Sequence, residues 1–278
     1  MLPVSCVVWD VDPVLLSFGN KNLYWYGFIF GISLLIGYTL LYWQFNRARL
    51  VETYDDTLRF VLLVAYVLAG VIVGAYIGDL IFYRWESFIA DPLRTLSFKN
   101  GLRGLSSHGA AVGILTAVFL YHLQYKIRYF EILDRLSFSV AVSSAMVRLG
   151  NLMNSEIVGR KSKAAWAFCF SSYDEELIPR HPSQIYEFFI GLGVLILLLI
   201  VDKKAGKEER PLGLLCGTFL SAYFPLRFFV EFFKEYQVLH QDIPFTMGQL
   251  ISVPFMVLGP CILIWSLKNR LSAAMPEQ

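Results

Sequence analysis

Along the chain, long apolar runs alternate with short polar ones. Seven runs approach the roughly 20 residues that a helix needs to cross a bilayer. They are 25–45, 60–82, 109–125, 132–147, 184–201, 212–233 and 247–267. In lipid a backbone has to satisfy its own hydrogen bonds, so each run is expected to be a helix. The run 132–147 is the most polar, with Asp134, Arg135 and four serines. The second run carries Gly70, Gly74 and Gly78 at four-residue spacing. That stripe of small residues predicts close contact with a neighbouring helix. The fold expected is all-α, a polytopic membrane protein of seven transmembrane helices with a small extracytoplasmic cap. It is read as a single transmembrane domain, 1–278, with outer segments 83–107 as an arm and 154–183 as the cap.

Composition agrees. Hydrophobic residues make up 56% of the chain and charged ones 17%, against about 25% charged in soluble domains. Mean hydropathy is +0.54. A net charge of +2 gives no field suited to nucleic acid. The four cysteines, Cys6, Cys169, Cys216 and Cys261, are far apart. They suggest neither a disulfide framework nor a zinc site and read as small apolar residues. Asp10 and Asp12, with no basic start, argue against a cleavable signal peptide.

Loop charge predicts orientation. Loops 46–59, 126–131, 202–210 and 268–278 hold 11 Lys and Arg in 40 residues. The segments on the other side hold 10 in 92 residues. The denser set is expected to be cytoplasmic. The N-terminus is then outside and the C-terminus inside.

Polar residues gather near the outer span ends. Tyr26 opens the first run, where an interfacial aromatic anchor would also serve. His108 opens the third, among small residues, as a cap or a proton carrier. The stretch RLGNLMNSEIVGR (148–160) follows an apolar run. Continued as a helix, it would put Arg148, Asn151 and Ser155 on one face, with Glu156 able to pair with Arg160. RHPSQIYE (180–187) introduces the fifth run, and Tyr223, Arg227 and Glu231 form a stripe within the sixth. Ionisable groups inside a membrane are normally paired or functional; an Arg227–Glu231 pair is the simplest structural account of that stripe. Two arginines at one membrane face suit an anionic headgroup, because a guanidinium can hold a phosphate with two hydrogen bonds. The residues by themselves therefore point to an outward-facing phospholipid headgroup site. A lipid transporter or flippase could use the same arginine-lined site, although no repeated halves are visible.

HGAAVG, RLGNLMNSEIVGR, RHPSQIYE and LRFFVEFFKE, with WYG before them and FTMGQLIS after, stand in the order of motifs in prolipoprotein diacylglyceryl transferases. The chain resembles that bacterial family over nearly its whole length. The resemblance implies a multi-pass enzyme of the inner membrane with its active site toward the periplasm. It implies transfer of sn-1,2-diacylglyceryl from phosphatidylglycerol to the lipobox cysteine of a preprolipoprotein. A thioether forms and glycerol 1-phosphate leaves, the first step of lipoprotein maturation. No cofactor, metal, nucleotide or nucleic acid is implied. Carried onto this chain, the motifs make Arg148 and Arg227 the stabilisers of the leaving phosphate and His108 the candidate base. Tyr26, Asn151, Glu156, Gly159 and Tyr223 fall at positions implicated in lipid binding or site shape. Two departures stand out. Ala110 replaces the second glycine of a frequent HGG, and Tyr76 occupies a frequent arginine position.

Overall fold

The computed structural model describes residues 6–95, 106–235 and 245–274. Every predicted run is helical: α1 (Trp25–Arg47), α2 (Tyr54–Tyr83), α5 (Ser107–Tyr125), α6 (Tyr129–Met153), α7 (Ser183–Lys204), α8 (Leu214–Val230) and α9 (Met247–Ala274). Two short helices, α3 (Trp85–Ala90) and α4 (Pro92–Thr95), follow α2. Among the described residues, six helices are long and apolar enough to cross a membrane; α5 is apolar only over Gly109–Tyr125 and falls short of that length. The protein is a multi-pass helical membrane protein.

The chain divides into two compact units, Met1–Trp43 with Asp134–Gln278, and Gln44–Leu133. In the second unit, α2 lies directly against α5. A Cβ added at Gly74 would come within 2.7 Å of the Gly113 Cα, and one at Gly78 within 2.6 Å of the Gly109 Cα. The glycine stripe is thus the contact surface the spacing predicted. Ser106 caps α5 by accepting from the Gly109 N–H at 3.3 Å.

The first unit is built around α6, α7 and α8. Phe138 and Ala141 pack with Val194, Leu198, Leu215, Phe219 and Tyr223 in one buried cluster. Gly191 lets α7 approach α6, since a Cβ there would meet the Ala145 Cβ at 2.8 Å. Asp134 of α6 accepts the Gly213 and Cys216 N–H groups at 2.9 and 2.8 Å. A carboxylate on the first turn of α8 satisfies otherwise orphaned donors and favours the positive end of the helix dipole. That accounts for Asp134 within the polar run 132–147.

Short β-structure lies before α1 and between α6 and α7, and we call the second of these segments the cap. Strand β1 (Val7–Trp9) pairs in parallel with β4 (Phe168–Phe170), which pairs antiparallel with β5 (Pro179–Arg180). The hairpin β2 (Val14–Phe18) and β3 (Lys21–Tyr24) leads into α1. Leu152, Val158 and Phe170 form a small core with Trp9 packed on it. The Trp9 indole N–H donates to the Leu152 carbonyl at 2.9 Å.

One expectation is overturned here. Cys6 and Cys169 form a disulfide across 163 residues of sequence, joining the β1 segment to β4. Spacing alone could not reveal it, because strand pairing brings the two together. Only Cys216 and Cys261 are free. We expect Cys6→Ser to loosen the β1–β4 pairing and lower the melting temperature. A cross-link in a soluble chain contributes about 2–4 kcal/mol; helices held in a bilayer restrict the unfolded chain already, so the loss should sit at the lower end. Thermal unfolding with and without dithiothreitol checks this: wild type should shift on reduction and the variant should not.

Candidate functional site

α6, α7 and α8 each deliver charged side chains to one buried cluster. Glu187, in the second turn of α7 and 2% exposed, is its centre. Its Oε1 accepts from Arg227 Nη1 of α8 at 2.7 Å. Its Oε2 lies 3.2 Å from Arg148 Nε of α6 and 2.9 Å from Lys234 Nζ. The Arg148 contact is close but poorly aligned, and Arg148 Nε is left without a hydrogen bond despite being buried. Lys234 also donates to Glu231 Oε1 at 2.9 Å. Arg227 Nη2 is 3.6 Å from Glu231. The pair within the α8 stripe therefore exists, but Glu187 is the closer partner.

Glu231 is fixed from a second direction. Thr246 and Gln249 form a reciprocal cap at the start of α9, with Thr246 N–H donating to Gln249 Oε1 at 2.9 Å and Gln249 N–H to Thr246 Oγ1 at 3.2 Å. The Thr246 hydroxyl then donates to Glu231 Oε2 at 3.0 Å. FTMGQLIS thus serves as a helix cap that also anchors a buried carboxylate.

Arg148 reaches the cap through amides. Its Nη1 donates to Asn151 Oδ1 at 3.2 Å, and Asn151 Nδ2 donates to Glu156 Oε1 at 2.9 Å. The continuous helix face expected here stops short. α6 ends at Met153, and Ser155 and Ile157 have φ of 52° and 58°. These left-handed conformations, costly for a β-branched residue, turn the chain. Ser155 leaves the face of Arg148 and Asn151, while Glu156 folds back onto Asn151. Arg160 donates to the Lys234 carbonyl at 2.8 Å.

Tyr26, in the first turn of α1, lies against this turn. A Cβ on Gly150 would meet the Tyr26 Cδ2 at 2.9 Å. Its phenol sits in the fields of Glu156 and Arg148. Tyr223, one turn before Arg227, is buried, stacks on Phe219 at 5.2 Å and faces the Arg227 guanidinium. Gly159 bridges to Lys234 in antiparallel fashion, and its N–H donates to the His181 carbonyl at 3.0 Å. His181 is pushed toward its neutral form by burial. Burial also lowers the Lys234 ammonium pKa, with Glu187 and Glu231 opposing that shift.

Seven of the eight sequence-predicted site residues therefore lie in the first unit, in or beside this network. His108 is in the second unit, in the first turn of α5, and its side chain lies outside the described residues. Glu187 and Lys234 were not among the predicted residues. A carboxylate one turn into an apolar helix carried a signal for Glu187. Lys234 lies just past the apolar run 212–233, and nothing in its position set it apart.

The family model for prolipoprotein diacylglyceryl transferase matches residues 13–265. The chain belongs to the prolipoprotein diacylglyceryl transferase family. Its relatives in that transferase family include the phosphatidylglycerol–prolipoprotein diacylglyceryl transferase of Chloroherpeton thalassium, 35% identical over 269 residues, which cover 95% of this chain and 96% of the relative. The enzyme of the same name from Vibrio cholerae is 36% identical over 266 residues, 94% of each chain. That from Tolumonas auensis is 32% identical over 265 residues, covering 94% of this chain and 98% of its own. The matched region of this diacylglyceryl transferase family member includes the whole buried cluster.

Proposed function

We propose that this protein transfers the diacylglyceryl group of phosphatidylglycerol to the lipobox cysteine thiol of a preprolipoprotein. Family membership supports the reaction. The observation that carries the assignment to a site is the buried arginine pair, Arg148 and Arg227, linked through Glu187. The thiolate sulfur attacks the glyceryl carbon, the carbon–oxygen bond to phosphate breaks, and glycerol 1-phosphate departs with the electron pair. Negative charge grows on the leaving phosphate, where two guanidiniums in a water-poor site stabilise it. The thiol proton must be removed, since a free cysteine is mostly protonated at neutral pH. His108 is the proposed acceptor. Tyr26, Asn151 and Glu156 shape the headgroup side, Tyr223 orients Arg227, and Gly159 brings the cap strand close.

This reading places the site at the outer face of a bacterial inner membrane, in a seven-span protein with its N-terminus outside and α5 as the short span. The Cys6–Cys169 disulfide supports it. Disulfides persist in oxidising compartments, and this one joins the two segments that loop charge assigns to the same outer side.

The test uses purified protein in phosphatidylglycerol vesicles with a lipobox peptide, followed by mass spectrometry. A diacylglyceryl mass gain is expected with the cysteine peptide, none with a Cys→Ser peptide, and a gain reduced about 100-fold or more with Arg148→Ala. No gain from folded protein with accessible substrates would sink the reaction.

A further inference from the structure

The buried cluster has an unbalanced charge. Among the described residues, Arg148, Arg227 and Lys234 face only the carboxylates of Glu187 and Glu231, all five at most 8% exposed. Glu156, the next carboxylate outward, is exposed and screened by solvent. The two carboxylates differ in how they are held. Glu231 is fixed by Thr246 and Lys234, with Gly248 against it. Glu187 binds all three cations and binds Arg148 without an aligned hydrogen bond.

We propose that Glu187 is a specificity-determining residue that leaves the arginine clamp one positive charge in excess, so that the site accepts singly charged phosphodiesters and rejects doubly charged phosphomonoesters. The charge inventory carries this. A lipid phosphodiester bears one negative charge and balances the cluster. A phosphomonoester near neutral pH carries close to two, its second pKa being about 6. The second charge would be buried without a partner beside two carboxylates, which is costly at low dielectric. Without Glu187 the clamp would carry two excess charges and suit the dianion. The inference rests on the transferase reading in one respect. While the thiol proton stays in the site it matches the second charge that develops on the leaving glycerol phosphate; once that proton is lost, the same imbalance favours release of the phosphomonoester product.

The experiment measures lipid binding, not transfer. Purified full-length protein in zwitterionic nanodiscs is loaded with fluorescent phosphatidylglycerol. Displacement is compared for phosphatidylmethanol, a monoanionic diester, and phosphatidic acid, its unesterified counterpart. At pH 8 wild type should prefer phosphatidylmethanol by about tenfold or more. The preference should shrink toward pH 5, where phosphatidic acid loses its second charge. Phosphatidylmethanol keeps its charge across that range and so reports titration of the protein's own groups. Those facing Glu187 are Arg148 from α6, Arg227 from α8, and Lys234, with Glu231, Tyr223 and Glu156 beyond them. Glu187→Gln should erase or invert the preference at pH 8, and Glu187→Asp should restore part of it. A purely structural role would lower binding of both lipids and leave their ratio unchanged, which would overturn the proposal. So would wild type binding phosphatidic acid as tightly as phosphatidylmethanol at pH 8, a comparison that needs no variant to fold. If no anionic lipid displaces the probe or the probe does not bind, the headgroup site itself fails and this inference goes with it.

Discussion

Replacing Arg227 with alanine is expected to reduce kcat/KM for diacylglyceryl transfer by about 100- to 1,000-fold, the usual loss when one preorganised donor to a developing oxyanion is removed. Arg227 is 8% exposed inside an apolar helix and contacts Glu187 at 2.7 Å. Its side chain cannot be replaced by solvent without opening the cluster. Glu187 would still have Arg148 and Lys234 within 3.2 Å. It is therefore not stranded, and the variant should fold with a modest loss of stability. Arg227→Lys restores the charge but not the planar fork, and a point charge holds phosphate with one bond where the fork holds it with two. Partial recovery, intermediate between alanine and wild type, is the expected result. Transfer to a lipobox peptide by mass spectrometry gives the rates, and thermal unfolding separates chemistry from folding. An alanine variant within about threefold of wild type, well under the loss quoted for such a donor, would remove Arg227 from the mechanism.

The sequence made part of this arrangement readable. Apolar runs located seven helices, with every end within seven residues, because a bilayer leaves the backbone few other choices. The Gly70–Gly74–Gly78 stripe marked a real helix contact for a similar reason: four-residue spacing keeps the small residues on one face. Arg148 and Arg227 stood out because a charge in an apolar run is expensive. What stayed hidden depends on convergence. Glu187, Lys234 and Arg148 are separated by 39 or more positions and meet only when α6, α7 and the end of α8 pack together. Cys6 and Cys169 meet only through β1–β4 pairing. The end of α6 was also hidden. Nothing in NSEI forbids another helical turn, and the left-handed residues Ser155 and Ile157 are held by the cap: Glu156 N–H reaches the Asn151 carbonyl at 3.0 Å, and Ser183 Oγ donates to the Ile157 carbonyl at 2.9 Å.

Gly159→Ala should be nearly as damaging as the loss of an arginine, through the protein atoms that the added methyl meets. The new methyl would lie 2.7 Å from the Phe233 carbonyl oxygen and 2.7 Å from the His181 Cβ, with the His181 carbonyl also against it. Two of these three obstacles are backbone oxygens, so no rotamer change relieves the clash. Relief requires that the 159 strand move away from the segment after α8. That segment carries Lys234, paired across from Gly159, and Lys234 is one of the three cations on Glu187. Overpacking of this kind costs about 1–3 kcal/mol. Its effect on catalysis should exceed its effect on stability, because a displacement of about 1 Å in a positioning group can cost about 100-fold in rate. The expected result is a folded protein with a lowered melting temperature and a kcat/KM reduced by well over about tenfold. Full activity with an unchanged melting temperature would show that the cap strand and the charged cluster are not mechanically joined at Gly159.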